Sequence, residues 1–346
     1  MSASVKNTDK ITYLDYLRHK PNLLIVGPYP PPHGGVSVHI ERLKVQLPNS
    51  EVYDTNSLQS ISISGIFQLT KFLFKPITAV HIHSYRFSVM LFAYFMKLTK
   101  RCEIIMTMHN PRIGEQSQKP WPSLYRRLFA AIDVLIVVGG HIKERILSAG
   151  LALPATVFHD NAFIMPDISQ EMKIIEQYPI ALLEFIEKKH PVLMAIAWRM
   201  EFDRGVDIYG LDMIIEFLAR LRRQYPHCGL VFVLVDNKYN HEYVLQSLAA
   251  IESRGLAGAF FLLAGRHPLW PLFKRIDLFM RPTFSDGFGV SLAEAIAFGC
   301  PAVASDVCSR PDGTVLFHNR DIDDLYDTVL RQLQVKSGDE NISVSY

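Results

Sequence analysis

Short β-branched and aliphatic runs alternate with helix-patterned stretches from one end of the chain to the other, which restricts the fold to parallel α/β sheets. In the first half the expected strands are Asn22–Gly27, Ala79–His83, Glu103–Met108, Val134–Val138 and Thr156–His159. Helical patterns fill the gaps at Val36–Leu47, Arg86–Lys100, Pro122–Ile132 and His141–Ala149, with Pro48 and Gly150 as stop signals. The pattern restarts with Val192–Ala197, Leu230–Val235, Phe260–Ala264, Leu278–Arg281 and Ala302–Ala304. Residues 165–190 hold prolines, mixed charge and one helical stretch, Ile180–Lys188, and read as an interdomain linker. A length of 346 residues can bury two cores. The expected division is a first domain over residues 1–175, a second over 176–334 and a polar tail over 335–346.

Composition narrows the class. Hydrophobic residues at 49% with charged residues at 20% describe a globular chain, and the longest apolar run, Phe87 to Met96, is too short to span a bilayer. Residues 1–20 lack the apolar core of a secretory signal. Cys102, Cys228, Cys300 and Cys308 form no Cys-x-x-Cys pair, which points away from a disulfide framework and toward a reducing cytoplasm. The net charge of +2 hides an asymmetry: residues 1–180 carry 19 Lys and Arg against 13 Asp and Glu, the remainder 17 against 21. A basic first half suits an anionic membrane surface or a phosphorylated acceptor as well as it suits chance. Nothing in the pattern points to nucleic acid.

Ligands of open parallel sheets sit beyond the carboxyl ends of strands, so the segments after each strand carry the functional signal. The first strand runs into Gly27-Pro28-Tyr29-Pro30-Pro31-Pro32-His33-Gly34-Gly35 and then a helix. Gly34 and Gly35 at a helix start let an anion approach backbone N–H groups, and the prolines stiffen the loop. A plain strand-to-helix turn would read similarly. The richest stretch is Arg281-Pro282-Thr283-Phe284-Ser285-Asp286-Gly287-Phe288-Gly289-Val290-Ser291-Leu292-Ala293-Glu294. Here Gly287 and Gly289 offer a second anion site at a helix start, with Phe288 and Val290 between and after them. Asp286 and Glu294 supply carboxylates for sugar and ribose hydroxyls. Ser291-x-x-Glu294 also fits a capping box, which would make Glu294 structural.

This stretch resembles the donor-binding signature of glycosyltransferase family 4: a Glu, seven residues and a second Glu across a Gly-Phe-Gly loop, then a strand ending in Ser-Asp. Asp286 stands where the family has its first Glu, and Pro301-Ala302-Val303-Ala304-Ser305-Asp306 matches the tail. The resemblance extends to the opening loop, to Val80-His81-Ile82-His83-Ser84 and to Thr107-Met108-His109-Asn110. It implies an α/β GT-B fold, two Rossmann-like domains facing each other across a cleft, the first binding acceptor and the second a nucleotide sugar. Arg199 and Arg204 fall where the family's bases hold the donor diphosphate, whose negative charge grows as the glycosidic bond breaks. His109 matches the histidine that approaches the donor sugar, and His83 and Asn110 are expected near the acceptor. Arg199, Arg204, Asp286 and His109 are thus the catalytic candidates.

By the same resemblance the enzyme is a hexosyltransferase that retains anomeric configuration. It takes a nucleotide-diphosphate sugar, with a saccharide or lipid-linked acceptor, in surface polysaccharide or glycolipid synthesis. No cofactor or metal is expected: Asp321-Ile322-Asp323 spells a metal motif but precedes a helical pattern, where acidic residues suit the dipole. Residues 86–97 set apolar groups beside cations, as a membrane-surface helix does, although a helix covering a sheet is equally apolar. An epimerase of similar fold and a non-catalytic nucleotide-sugar-binding scaffold are the alternatives.

Overall fold

The computed structural model describes residues 12–30, 35–55, 72, 74–109, 121–160 and 163–342. Gly34 and Asn110 lie outside the described residues. The chain divides into two compact units, residues 1–164 and 165–346. Each is built on a six-stranded parallel sheet.

Unit 1 runs α1 (Tyr13–Arg18), β1 (Leu23–Gly27), α2 (Gly35–Gln46), β2 (Glu51–Asp54), β3 (Ala79–Ile82), α3 (Phe87–Lys100), β4 (Glu103–Met108), α4 (Pro122–Ala130), β5 (Val134–Val138), α5 (Gly140–Ser148) and β6 (Thr156–Asp160). Strand order is β2-β1-β3-β4-β5-β6. Strands β1, β3 and β5 are buried at every residue, which explains why their sequences are continuous apolar runs instead of alternating ones. The direction of winding reverses at β1, between β2 and β3, which opens a crevice beyond the ends of β1 and β3.

Unit 2 runs α6 (Glu171–Ile175), α7 (Ile180–Lys188), β7 (Val192–Arg199), β8 (Phe202–Asp203), β9 (Val206–Asp207), α8 (Leu211–Gln224), β10 (Gly229–Asp236), α9 (His241–Ser253), β11 (Phe260–Ala264), α10 (Trp270–Phe273), β12 (Leu278–Arg281), α11 (Val290–Ala297), β13 (Ala302–Ser305), β14 (Val315–Phe317) and α12 (Ile322–Ile342). Its sheet order is β11-β10-β7-β12-β13-β14, with the reversal between β7 and β12. One apolar cluster includes Phe217, Leu218, Leu221 and Phe232; another includes Leu182, Trp270, Phe273 and Phe279. A third cluster, in unit 1, includes Ile25, Ile40, Leu43 and Ile105. A fully buried side chain of this kind stabilises by roughly 1.5–3 kcal/mol, so each unit has a substantial core of its own.

Three expectations need correction. The division falls between Ile164 and Met165, not after residue 175. Residues 165–190 are no bare linker, because Tyr178, Leu182 and Ile186 are buried in the second unit's core. The tail expected from residue 335 continues α12 to Ile342. Short strands β2 and β14 and the β8–β9 hairpin join the elements read from the sequence.

Candidate active site

In unit 1 the crevice beyond β1 and β3 is lined by histidines. Gly27 ends β1, and a Cβ there would collide with Ile40 Cδ1 and lie 3.0 Å from the Cβ of His83. Glycine therefore lets α2 and the chain after β3 close on the strand end, where the His83 N–H donates to the Val26 carbonyl at 2.9 Å. His83 Nδ1 lies 3.0 Å from His109 Nε2, so one ring donates to the other. His39, from α2, sets its ring edge-on to that of His109 at 4.8 Å between centroids. His81 Nε2 is 2.7 Å from the Thr107 hydroxyl. The rings of His81 and His83 lie 4.2 Å apart.

His39, His81 and His83 are buried and His109 is half-buried. Burial pushes the His81 pKa down to about 3, helped by the neighbouring His39. Burial also holds His83 and His109 well below the usual histidine range, and the surrounding histidines act in the same direction. His81, His83 and His109 are therefore neutral imidazoles near pH 7. The structure thus brings the expected His83 and His109 together and adds His39, which sequence reasoning missed because a lone histidine in a helix carries no pattern. Gly35 opens α2, with no described residue within 4 Å of the place its Cβ would occupy.

In unit 2 the reversal between β7 and β12 gathers Arg199, the hairpin and the glycine loop. Arg204 (φ 51°) and Gly205 (φ 80°) form the two-residue turn of β8–β9, and positive φ at both positions is what a type I′ turn requires. Arg204 is exposed, with no hydrogen bond or ion pair to a described residue. Arg199 Nε instead donates to Glu201 at 2.7 Å, and its guanidinium lies 4.3 Å from the Tyr239 ring centre. The expected phosphate-holding pair thus consists of one arginine held by a neighbour and one that is open. The Phe284 N–H donates to the Ile208 carbonyl at 2.8 Å, tying the glycine loop to the segment after the hairpin.

Asp286 departs from its expected role. Its carboxylate accepts from Arg281 Nε at 2.5 Å and Nη2 at 3.0 Å, from Arg310 Nη1 at 2.5 Å, and from the Gly287 N–H at 2.9 Å. Little acceptor capacity is left for a sugar hydroxyl, the role assigned from the sequence. Burial alone would raise the Asp286 pKa, but the two arginines outweigh it and hold the carboxyl well below the ordinary range. Burial acts on Arg281 too, in the opposite sense, and Asp286 more than restores its charge. Arg310, only 2% exposed, is fixed further by the Ser305 carbonyl at 3.0 Å and the Thr283 hydroxyl at 2.9 Å. Two cations around one carboxylate leave a net positive charge beneath the glycine loop.

Gly289 (φ 82°) caps α11, and a Cβ there would lie 2.8 Å from Leu292 Cδ1 and 3.1 Å from Arg310 Nη1. Phe288 is buried beside it, and Val290 begins the helix. The cap has no side-chain hydrogen bond, and Ser291 Oγ accepts from Arg281 Nη1 at 3.4 Å, so the capping-box reading of Glu294 fails. Glu294 is buried one turn into the helix, within electrostatic reach of Tyr178. Arg310 escaped sequence reasoning because it lies 24 residues along the chain from Asp286. The metal spelling at Asp321–Asp323 is a helix start: Asp321 accepts from the Asp323 and Asp324 N–H groups at 3.0 Å.

This architecture defines a GT-B-type protein, and comparison with known proteins agrees. The structure of Anabaena Alr3699/HepE in complex with UDP-glucose superposes with a TM-score of 0.66 at 14% identity, covering 91% of this chain and 90% of that one. A glycosyltransferase from Rickettsia africae ESF-5 gives 0.64 at 14% identity, covering 92% and 89%. Residues 201–334 match the family model described as Glycosyl transferases group 1. Lipopolysaccharide glucosyltransferase WaaG of Escherichia coli (strain K12) is 27% identical over 143 residues, 41% of this chain and 37% of that protein's length. Residues 201–334, within the second unit, are thus similar to group 1 glycosyl transferases, and the chain spans about two fifths of the length of WaaG.

Proposed function

We propose that the protein is a retaining, metal-independent glycosyltransferase that takes a hexose from a nucleotide-diphosphate donor. The observation that carries this reading is the glycine loop at the N-terminus of α11, backed by the Arg281–Asp286–Arg310 cluster. Backbone N–H groups, a helix dipole and a net positive cluster favour a diphosphate there. Arg204 supplies a mobile charge for the leaving diphosphate, and Arg199 joins it by exchanging Glu201 for phosphate. Asp286 acts as a positioning residue that holds Arg281 and the loop, and Glu294 serves the ribose. We assign Gly34 and Gly35 to the donor, His109 to the transferred sugar, and His83 and Asn110 to the acceptor. The UDP-glucose complex of the Anabaena relative makes a uridine donor the first to try.

We place the protein in the cytoplasm, acting on a saccharide or lipid-linked acceptor at an anionic membrane surface. No helix of the described residues is long and apolar enough to cross a membrane. Helix α3 buries Val89, Met90, Ala93 and Met96 but exposes Leu91, Phe95 and Leu98, which share a face at helical spacing. Exposed Arg86 and Arg101 stand at its two ends. An apolar stripe between cations fits a headgroup interface. The test is transfer of labelled glucose from UDP-glucose to membrane lipid in the presence of EDTA, followed by NMR of the product's anomeric proton. Retention with EDTA present is expected; inversion, or a strict metal requirement, contradicts the reading.

A further inference from the structure

His39, His83 and His109 each offer a ring nitrogen, and these atoms all lie within 4.8 Å of one another. His83 Nδ1 and His109 Nε2 are already 3.0 Å apart. Zinc–imidazole bonds of about 2.0–2.1 Å place neighbouring ligand nitrogens about 3.3 Å apart in a tetrahedron. Two of the three nitrogens therefore stand near ligand spacing, and the third closes at most about 1.5 Å, within reach of small side-chain rotations. We infer that this triad binds one divalent ion of the zinc class.

Three features of the site favour the ion. The ligands come from three different places, helix α2, the chain after β3 and the chain after β4, so the fold holds them without long flexible reach. His83 Nε2 is buried and has no hydrogen-bond partner among the described residues, so the ring can change tautomer or rotate without breaking a bond there. Imidazole donors suit Zn²⁺, Co²⁺, Ni²⁺ and Cu²⁺, whereas Mg²⁺ and Ca²⁺ require oxygen ligands. Three protein ligands leave a fourth position for water. On binding, the N–H···N bridge between His83 and His109 is replaced by two metal–nitrogen bonds. The bridging proton moves to the other nitrogen of the ring that donated it.

If His109 serves the transferred sugar, the ion occupies the same ring, so zinc inhibits transfer instead of supporting it. That consequence rests on the proposed function; ion binding does not. The test therefore uses the metal alone: the full chain, stripped by a chelator, is titrated calorimetrically with Zn²⁺ and in parallel with Mg²⁺, without nucleotide. One Zn²⁺ per chain and no Mg²⁺ binding are expected. His39→Gln and His83→Gln should each weaken zinc at least about tenfold, while exposed His227→Gln leaves it unchanged. Co²⁺ loading should give the visible absorption of a low-coordinate imidazole site. If a buried variant fails to fold by circular dichroism, half-buried His109→Gln reads the same loss. No saturable site at one ion per chain, or undiminished affinity in the folded triad variants, overturns the inference whatever the enzyme's activity proves to be.

Discussion

At the scale of single residues, Asp286 is the counter-ion of two arginines. Removing it leaves Arg281 and Arg310 buried without compensation at 14% and 2% exposure. Asp286→Ala should therefore cost about 3–5 kcal/mol, read as a shift in urea midpoint, and should weaken nucleotide binding at least about tenfold. A variant as stable as the parent would contradict the paired role. The pH dependence has a definite sign. The folded pKa of Asp286 lies below its unfolded value of about 3.9, so its contribution is complete above that pH and fades only as pH falls below it. The signature motif made Asp286 legible in sequence as a ligand-loop carboxylate but not as a saturated one. Its partner Arg310 follows an unremarkable Cys308-Ser309 pair, and nothing local to it reveals the fold-back onto Asp286.

At the scale of elements, two turns and one helix carry predictions. Gly289→Ala places a Cβ at positive φ against Leu292 and Arg310, so we expect a loss of about 1–2 kcal/mol together with weaker nucleotide binding. Gly205→Ala is equally strained at φ 80° but meets no described residue within 4 Å. It should loosen the hairpin that presents Arg204 and leave the global melting temperature nearly unchanged. Phe95→Glu on α3 should abolish sedimentation with anionic liposomes at low salt without changing the fold, since that side chain is 47% exposed. Sedimentation equal to the parent's would remove the membrane face. Helix α3 illustrates where pattern reading stops: its core and solvent faces are both apolar, so periodicity could not choose between sheet cover and membrane face, and the structure shows one buried face with Leu91, Phe95 and Leu98 exposed on the other. The hairpin β8–β9 and strand β14 were illegible because runs of two or three residues hold no periodicity. The segment around Tyr178 and Leu182 looked like a linker because its prolines and charges mask three core side chains.

For the whole molecule, the parallel α/β class was legible because strands buried on both faces must be continuous apolar runs, and the restart at Val192 marked a second sheet. The two units should also differ in acid sensitivity. His81, His83 and His109 have folded pKa values below their unfolded value of about 6.5. Unit 1 is therefore fully stabilised by them above that pH and loses stability as pH falls from about 6.5 toward their folded values, before Asp286 in unit 2 is affected. Hydrogen exchange at stepped pH should show protection lost first in β3 and β4; loss beginning in β12 and β13 would contradict it. A nucleotide-diphosphate site in unit 2 is the proposal on which the other roles depend, and its test is calorimetric titration of the full chain with UDP, GDP and ADP in EDTA. Saturable binding of one nucleotide per chain is expected, UDP first among them, lost in Asp286→Ala and retained in His83→Gln. Absence of binding to all three, in a chain that remains folded, would contradict the donor site and leave a GT-B scaffold without its substrate.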